Sequence, residues 1–567
     1  MLIEKASLDP RSRFYIQPNR IVWQTSDNAA PKNSDLLLQP GSGQATLWAR
    51  QGCILKNDGI APGIVLDFGI ELNGGVQIIV GNVGDSNKTR VRVRFGESVS
   101  EAMGDPNNDH AFHDNIIHVA WAGATEIGNT GFRFVRIDLI DKGTEVELKE
   151  IRAVALMRDL PWKGSFSCSD ERLNTIWKTG AHTVHLNMQD YVWDGVKRDR
   201  LVWIGDMHPE ALAISTVFGE VDVVPKSLNL IRDETELPLL MNNYSAYSLW
   251  WIIIQHHWYL NHGNLEYLKA QHVYLAELMV ILEGYVDDQN REILPDKRFL
   301  DWPTARDPEV IHAGLQSLMV LAFSRGAELC GILNDESLKI RCMQTVDKLK
   351  KHIPEAGLNK QCNALKVLAG LADAKETNSR ILAKDQLEGL STFYGYYVLQ
   401  ARSAAGDYEG CLEVIRKYWG AMIDLGATSF WEDFNLHWAD NAARIDQLVP
   451  EGKVDVHAEY GDHCYVGLRH SLCHGWASGP TSWLSEHILG FKPLKPGCAE
   501  LAIDGHLEDL EWAEGTYPTP RGIVHVRHKK GSNGKIETKV DAPEDIHIVA
   551  GVMTCPPLSR PPASMMN

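Results

Sequence analysis

The chain has 567 residues, with 56 Lys and Arg against 74 Asp and Glu for a formal charge of −18. Such a length exceeds what one hydrophobic core supports and predicts about two to four domains. The acidic balance argues against nucleic acid or an anionic membrane surface as the main partner and favours a neutral or weakly charged ligand. The ten cysteines (Cys53, Cys168, Cys330, Cys342, Cys362, Cys411, Cys464, Cys473, Cys498 and Cys555) stand singly with no CxxC pair. That usage predicts reduced thiols, a cytoplasmic setting and no zinc ribbon. The opening MLIEKASLDPRSRF has no charged region followed by an apolar one, and no run is long enough to span a bilayer; an unexported protein is expected unless a leader precedes this sequence.

Residues 1–165 alternate in short runs broken by turn formers: GIVLDFGIEL, GGVQIIVG, TRVRVRFGE, FRFVRIDLI and VELKEIRAVAL. Arg90, Arg92 and Arg94 interleave with Val91, Val93 and Phe95, the period of a half-buried strand, so this part is expected to be a β-sandwich. The pattern changes at SFSCSDERLNTIWKTG, where Ser169 is the expected N-cap and Asp170 and Glu171 open a helix. Apolar stripes at helical spacing follow: Tyr247, Trp250, Trp251, Ile254 and Trp258; then Leu268, Leu275, Leu278, Met279 and Leu282; then Leu315, Leu318, Met319 and Ala322; then Tyr396, Tyr397 and Leu399. These predict a helical domain over 166–490. Beyond it, GIVHVRH and KIETKVD return to alternation and predict a small C-terminal β-domain over 491–567, closed by a Pro-rich tail, CPPLSRPPASMMN, expected to be poorly ordered.

Three stretches could carry chemistry. WDGVKRDRLVWIGDMHPE sets Asp194, Asp199 and Asp206 among Trp193, Trp203 and the cations Lys197 and Arg198. Paired carboxylates are what acid–base cleavage of an acetal needs; a structural ion network is the alternative that the residues alone leave open. GATSFWEDFN places Glu432 beside Trp431, a triplet for which acids at a helix N-terminus are the commoner explanation from the residues alone. SLCHGWASGP surrounds His474 and Trp476 with small residues that allow close approach of a ligand, or else holds a buried structural histidine. The 17 tryptophans, several beside acids (Trp193, Trp203, Trp302, Trp431, Trp438 and Trp476), suit a sugar: aromatic faces stack on its C–H face while carboxylates bind its hydroxyls. His256, His257 and His262 show no three-ligand metal spacing, and Walker, GxGxxG and GxSxG motifs are missing. No metal and no cofactor is therefore expected.

On these stretches the chain resembles the inverting α-L-rhamnosidases of glycoside hydrolase family 78. LDFGIELNGGVQI and RVRFGES are similar to that family's N-terminal β-sandwich, WDGVKRDRLVWIGD to its acidic signature, and FYGYYVLQA, GATSFWEDF and SLCHGWASGPTSWLSEHILGFKPLKPG to later segments in the same order. The resemblance implies an (α/α)6 toroid catalytic domain flanked by an N-terminal β-sandwich and a small C-terminal β-sandwich. The implied general acid falls on Asp199, where the family carries Glu, and Glu210 is the alternative acid nearby; the general base falls on Glu432. Asp194, Arg198, Trp203, Asp206, Trp302, Trp431, His474 and Trp476 are the implied substrate-binding residues.

The implied activity is exo-cleavage of a terminal α-L-rhamnose from an oligosaccharide or glycoside, with a carbohydrate as partner, neither nucleic acid nor membrane, and a homo-oligomer left open. Two rivals stand beside it: a toroid glycosidase acting on a different α-linked sugar, and a carbohydrate-binding homologue impaired in catalysis, which the shorter Asp199 motivates.

Overall fold

The computed structural model describes residues 6–46, 51–105, 113–295, 297–463 and 465–550. Cys464, Cys555 and the Pro-rich tail lie outside the described residues. The chain divides into two compact units: Met1–Asp159, His185–Leu201 and Ala421–His474 form the first, and Leu160–Val184, Val202–Gly420 and Gly475–Asn567 the second.

The first unit is built on one eight-stranded sheet. Its strands are β1 (Ser12–Ile16), β2 (Arg20–Gln24), β3 (Cys53–Asn57), β4 (Gly63–Val83), β5 (Arg90–Gly96), β6 (Asp114–His118), β7 (Ala124–Leu139) and β8 (Thr144–Met157), in the order β1-β8-β4-β7-β5-β6, with β2 on β4 and β3 on β8. The two runs GIVLDFGIEL and GGVQIIVG are a single strand, β4, whose pairing with β7 shifts between Asp67 and Leu72 and again between Gly74 and Val76. Such bulges bend a long strand. Leu66, Val76, Ile78, Val93, Phe95, Phe132, Ile137 and Ile151 pack in one apolar core. Of the interleaved arginines, Arg94 is buried and donates to the carbonyls of Met103 (3.2 Å) and Gly104 (2.7 Å), the last residue and the C-cap of the short helix α1 (Val99–Met103).

Residues 421–474, expected within the helical domain, are mostly loops and single 3₁₀ turns with one two-residue parallel pair, β10 (Ala442–Ala443) and β11 (Val454–Asp455). They are bonded to the sheet: Arg133 makes a bidentate contact to buried Asp67 and donates to Gly426 O at 3.0 Å, and Glu71 N donates to Thr428 Oγ1 at 2.8 Å.

The second unit opens with β9 (Ser165–Cys168). Among the described residues the α-helices after α1 are α2 (Glu171–Asn187), α3 (Met207–Val217), α4 (Val223–Glu234), α5 (Ser245–His262), α6 (Leu265–Glu283), α7 (Pro308–Ile332), α8 (Glu336–Leu349), α9 (Lys360–Leu368), α10 (Ala374–Thr377), α11 (Gly395–Ala404), α12 (Tyr408–Val414), α13 (Gly420–Asp424) and α14 (Gly479–Trp483). The cap of α2 falls on Asp170, whose Oδ1 accepts the Arg172 N–H at 2.9 Å, one residue beyond the expected Ser169. Asp307 caps α7 on Glu309 N and Val310 N with Pro308 behind it, and α7 packs against α5, α8 and α9. Each predicted stripe lies on a helix and is buried, as with Trp250, Trp251 and Ile254 on α5.

The C-terminal strands are β12 (Phe491–Pro493), β13 (Glu500–Ile503), β14 (Trp512–Thr519), β15 (Gly522–Lys530), β16 (Ile536–Asp541) and β17 (His547–Ala550). They form a three-stranded sheet, β12-β13-β17, and a four-stranded one, β16-β15-β14-β9, so a strand preceding the helices completes the C-terminal sheet. Among the described residues no helix is long and apolar enough to cross a membrane, and Cys53, Cys168, Cys330, Cys342, Cys362, Cys411, Cys473 and Cys498 are buried free thiols.

Candidate active site

Residues 194–201 form a loop closed at its neck by Asp194. The Asp194 N–H donates to Leu201 O (3.1 Å), Leu201 N donates to Asp194 Oδ1 (2.9 Å), and Asn187 Nδ2 donates to Asp194 O (2.9 Å). The buried carboxylate expected to hold sugar hydroxyls therefore already shapes the loop. At its tip, Asp199 (φ 56°) and Arg200 (φ 57°) are both left-handed, a conformation that Asp tolerates better than most residues and that concentrates at functional sites. Arg200 is engaged structurally: its Nε donates to Val196 O at 2.8 Å, and its guanidinium lies over one face of Trp193 at 5.1 Å.

Glu432 lies on a loop, so the helix-terminus explanation of the WED triplet does not hold. The strand-like segment after Arg469 runs beside it. Glu432 N donates to Ser471 O (3.0 Å), Ser471 N to Glu432 Oε2 (3.4 Å), Asp433 N to His470 Nε2 (2.9 Å), and His474 N to Phe430 O (2.9 Å). Gly195 bridges to His474, and a Cβ on Gly195 would meet Cys473 O at 3.1 Å, a tight contact that the missing side chain relieves.

Arg198 ties the two candidate carboxylates together. Its Nη2 donates to Glu432 Oε2 at 2.5 Å, its Nη1 to Asp199 Oδ1 at 3.2 Å and its Nε to Arg469 O at 3.1 Å, while the guanidinium lies 4.8 Å from the Tyr465 ring centroid. Asp199 is the open member, with 31% of its side chain exposed, against 2% for Glu432. Burial raises the pKa of Glu432, and Arg198 opposes that rise by charge and hydrogen bond without cancelling it. Burial would lower Arg198, but Glu432 and Asp199 outweigh it and hold the guanidinium protonated. His474 Nδ1 is 3.6 Å from Glu432 Oε1. Trp431 is buried edge-on to Phe434 and His470, a support beneath the loop.

Behind these loops lies a second charged group that the sequence reading did not single out: Glu97, Glu101 and His457, with ligand atoms all within 4.8 Å of one another. The cation there is Lys197, whose ammonium is 2.8 Å from Glu101 Oε1. His457 is engaged through Nδ1 with Ser98 Oγ (2.7 Å) and through Nε2 with His470 O (2.9 Å). This donor set is an ion network whose positive member is protein.

The remaining expected residues lie in the second unit. Asp206 precedes α3 and its Oδ1 accepts the Tyr247 hydroxyl at 3.4 Å; a Cβ on neighbouring Gly205 would meet the Tyr247 ring at 2.5 Å. Trp203 stands edge-on to Tyr244 and Tyr247, and Trp476 stacks on Phe393 with centroids 4.9 Å apart. Trp302 begins a 3₁₀ turn capped by Asp301, whose buried carboxyl is pushed up to about 6 and accepts the Ser391 hydroxyl at 3.1 Å. Glu210 is buried in the first turn of α3. His208 packs against the rings of Trp250 and Tyr397, which also stack on each other, and bonds Tyr397 OH and His257 Nδ1, both at 2.8 Å; burial drives it down to about 3, so it is neutral. His256 pairs with Glu328 and His262 with Ser215, which accounts for the other histidines of that run.

Comparison with known proteins agrees with this architecture. A family model described as the bacterial alpha-L-rhamnosidase 6 hairpin glycosidase domain matches residues 161–316. The fold is similar to a GH78 rhamnosidase of Bacillus sp. GL1, with TM-score 0.73 and 22% identity over 91% of this chain and 55% of that one. It is also similar to a Klebsiella oxytoca rhamnosidase with rhamnose bound, with TM-score 0.65 and 18% identity over 84% of this chain and 96% of that one. A Streptomyces avermitilis α-L-rhamnosidase complexed with L-rhamnose gives TM-score 0.67 and 17% identity over 88% and 50%. No curated protein matches the sequence. The chain thus has the multidomain fold of helices and β-domains found in these hydrolases, and it spans 55% of the length of the Bacillus structure. In sequence and fold it resembles the α-L-rhamnosidases of glycoside hydrolase family 78.

Proposed function

We propose that the protein is an inverting, exo-acting α-L-rhamnosidase whose helices form an (α/α)6 toroid, with Glu432 as general base and Asp199 as general acid. Glu432 takes a proton from a water that attacks the anomeric carbon, and Asp199 gives its proton to the departing glycosidic oxygen. Single displacement of this kind places the two carboxyls roughly 6.5–9.5 Å apart with the water between them. The observation that carries the reading is Arg198, bonded at once to a buried and an open carboxylate. A buried base must stay ionised in the resting site, and a guanidinium against it favours that form. His474, whose Nδ1 is 3.6 Å from Glu432 Oε1, offers a polar contact to a sugar hydroxyl beside the base.

The test is turnover of α-L-rhamnosides by the Glu432→Ala variant. Loss of the base predicts a fall of roughly 10²–10⁴. Turnover within tenfold of the parent rejects the assignment, and sugar binding with no product from any α-L-glycoside places the protein among non-catalytic carbohydrate binders.

A further inference from the structure

Glu97 immediately follows β5 and lies 335 residues before Glu432 in the sequence, yet both hold the same short piece of backbone. Leu472 N donates to Glu97 Oε2 at 2.6 Å, and Ser471 Oγ lies 3.4 Å from Glu97 Oε1. Lys197 grips the preceding residues: its Nζ donates to Leu468 O at 2.5 Å and His470 O at 3.0 Å, and meets Glu101 Oε1 at 2.8 Å. An ammonium has three N–H donors, and these three acceptors use them all. Both side chains are buried, at 1% exposure for Lys197 and 0% for Glu97.

The other edge of the segment faces the carboxylate pair: Arg469 O accepts Arg198 Nε, Ser471 N donates to Glu432 Oε2, and Ser471 O accepts Glu432 N. Displacement of residues 469–472 would therefore move the base and the arginine together. We propose that Glu97 and Lys197 are positioning residues for catalysis, fixing the backbone of Leu468–Leu472 from behind so that Glu432 and Arg198 keep their mutual geometry. The inference rests on the rhamnosidase reading.

The groups facing Glu97 are Lys197, Glu101 of α1, Glu71 of β4 and Glu432. Burial is the first cause that pushes its carboxyl up to about 8. Below that pH it is a neutral acid, which an amide imitates: a glutamine at this position offers the same acceptor to Leu472 N–H and a donor to Ser471 Oγ.

The experiment compares steady-state kinetics of the parent, Glu97→Ala, Glu97→Gln and Lys197→Met at pH 6.5 on an aryl α-L-rhamnoside, with thermal melting in parallel. Misplacing a catalytic group by about 1 Å costs roughly 10²-fold, so Glu97→Ala and Lys197→Met are expected to lose roughly 10–100-fold in kcat with KM within about threefold. Glu97→Gln is expected to recover kcat to within about threefold of the parent. A folded Glu97→Ala with the parent's kcat overturns the proposal, as does a Glu97→Gln that folds and is as slow as the alanine variant. Should Glu97→Ala not fold, Lys197→Met and Glu97→Gln decide by the same two criteria. A parent that turns over no rhamnoside overturns the proposed function and this inference with it, whereas an active parent matched by all three variants overturns the inference alone.

Discussion

Arg198→Met isolates the electrostatic part of the proposed mechanism. The Arg198 and Glu432 side chains are 4% and 2% exposed and meet at 2.5 Å. Removing one member of a buried ion pair leaves the other uncompensated, at about 3–5 kcal/mol. Glu432 can avoid much of that cost by keeping a proton, because about 1.4 kcal/mol corresponds to one pKa unit. The sign follows directly. Burial already raises Glu432 and Arg198 is the largest opposing influence, so without the guanidinium the base holds its proton to higher pH. The assay is kcat/KM against pH, which reports the free enzyme whatever happens to substrate affinity. The acid limb of the variant is expected to move upward by more than about one pH unit. A limb that stays within about 0.3 unit of the parent's, or that moves to lower pH, refutes the assignment of Glu432 as a base held ionised by Arg198.

The other expectations use the remaining carboxyls. Asp199→Asn is expected to lower kcat by roughly 10²–10⁴ on a rhamnoside of a sugar or alkyl alcohol, and far less on a nitrophenyl rhamnoside, whose leaving group needs little protonation; equal losses on both would count against Asp199 as the acid. Burial pushes Glu97 from 4.5 to about 8, so the folded chain keeps a proton that the unfolded chain releases. Stability from this group is then lost as pH rises from about 4.5 through about 8. Melting temperatures measured between pH 6 and 9 are expected to fall more steeply for the parent than for Glu97→Gln, and parallel curves would contradict the buried neutral carboxyl.

Much of the architecture was legible because its signals are local. Alternation marked β5, β7, β8, β15 and β16, and stripes such as Leu268, Leu275 and Leu282 marked whole helices. What escaped depends on distant partners. The strand β9 reads as the approach to a helix, and only its pairing with β14, nearly 350 residues on, makes it part of the C-terminal sheet. The stretch 421–474 carries aromatic and apolar residues like the helices before it, but its hydrogen bonds close turns and join one loop to another, as from Glu432 N to Ser471 O, and tie it to the sheet through Arg133 and Glu71, instead of running along long helices.

At the site, the identities of Asp199, Arg198 and Glu432 came from the resemblance, while their relation did not: one arginine serving two carboxylates has no signature in spacing. Asp194 shows the converse. Its place in an acidic cluster suggested a ligand contact, whereas its carboxylate is engaged by the neck of its own loop. Glu97 carried no signal beyond following an alternating strand, because its contacts with Leu472 and Lys197 come only from the fold.

The central claim, that Glu432 and Asp199 act on a terminal α-L-rhamnose by single displacement, is tested most directly by proton NMR of the anomeric signal during hydrolysis of an aryl α-L-rhamnoside. The account predicts that β-L-rhamnose appears first and equilibrates to the α-anomer only afterwards. First appearance of α-L-rhamnose, or no released rhamnose at all, would contradict it.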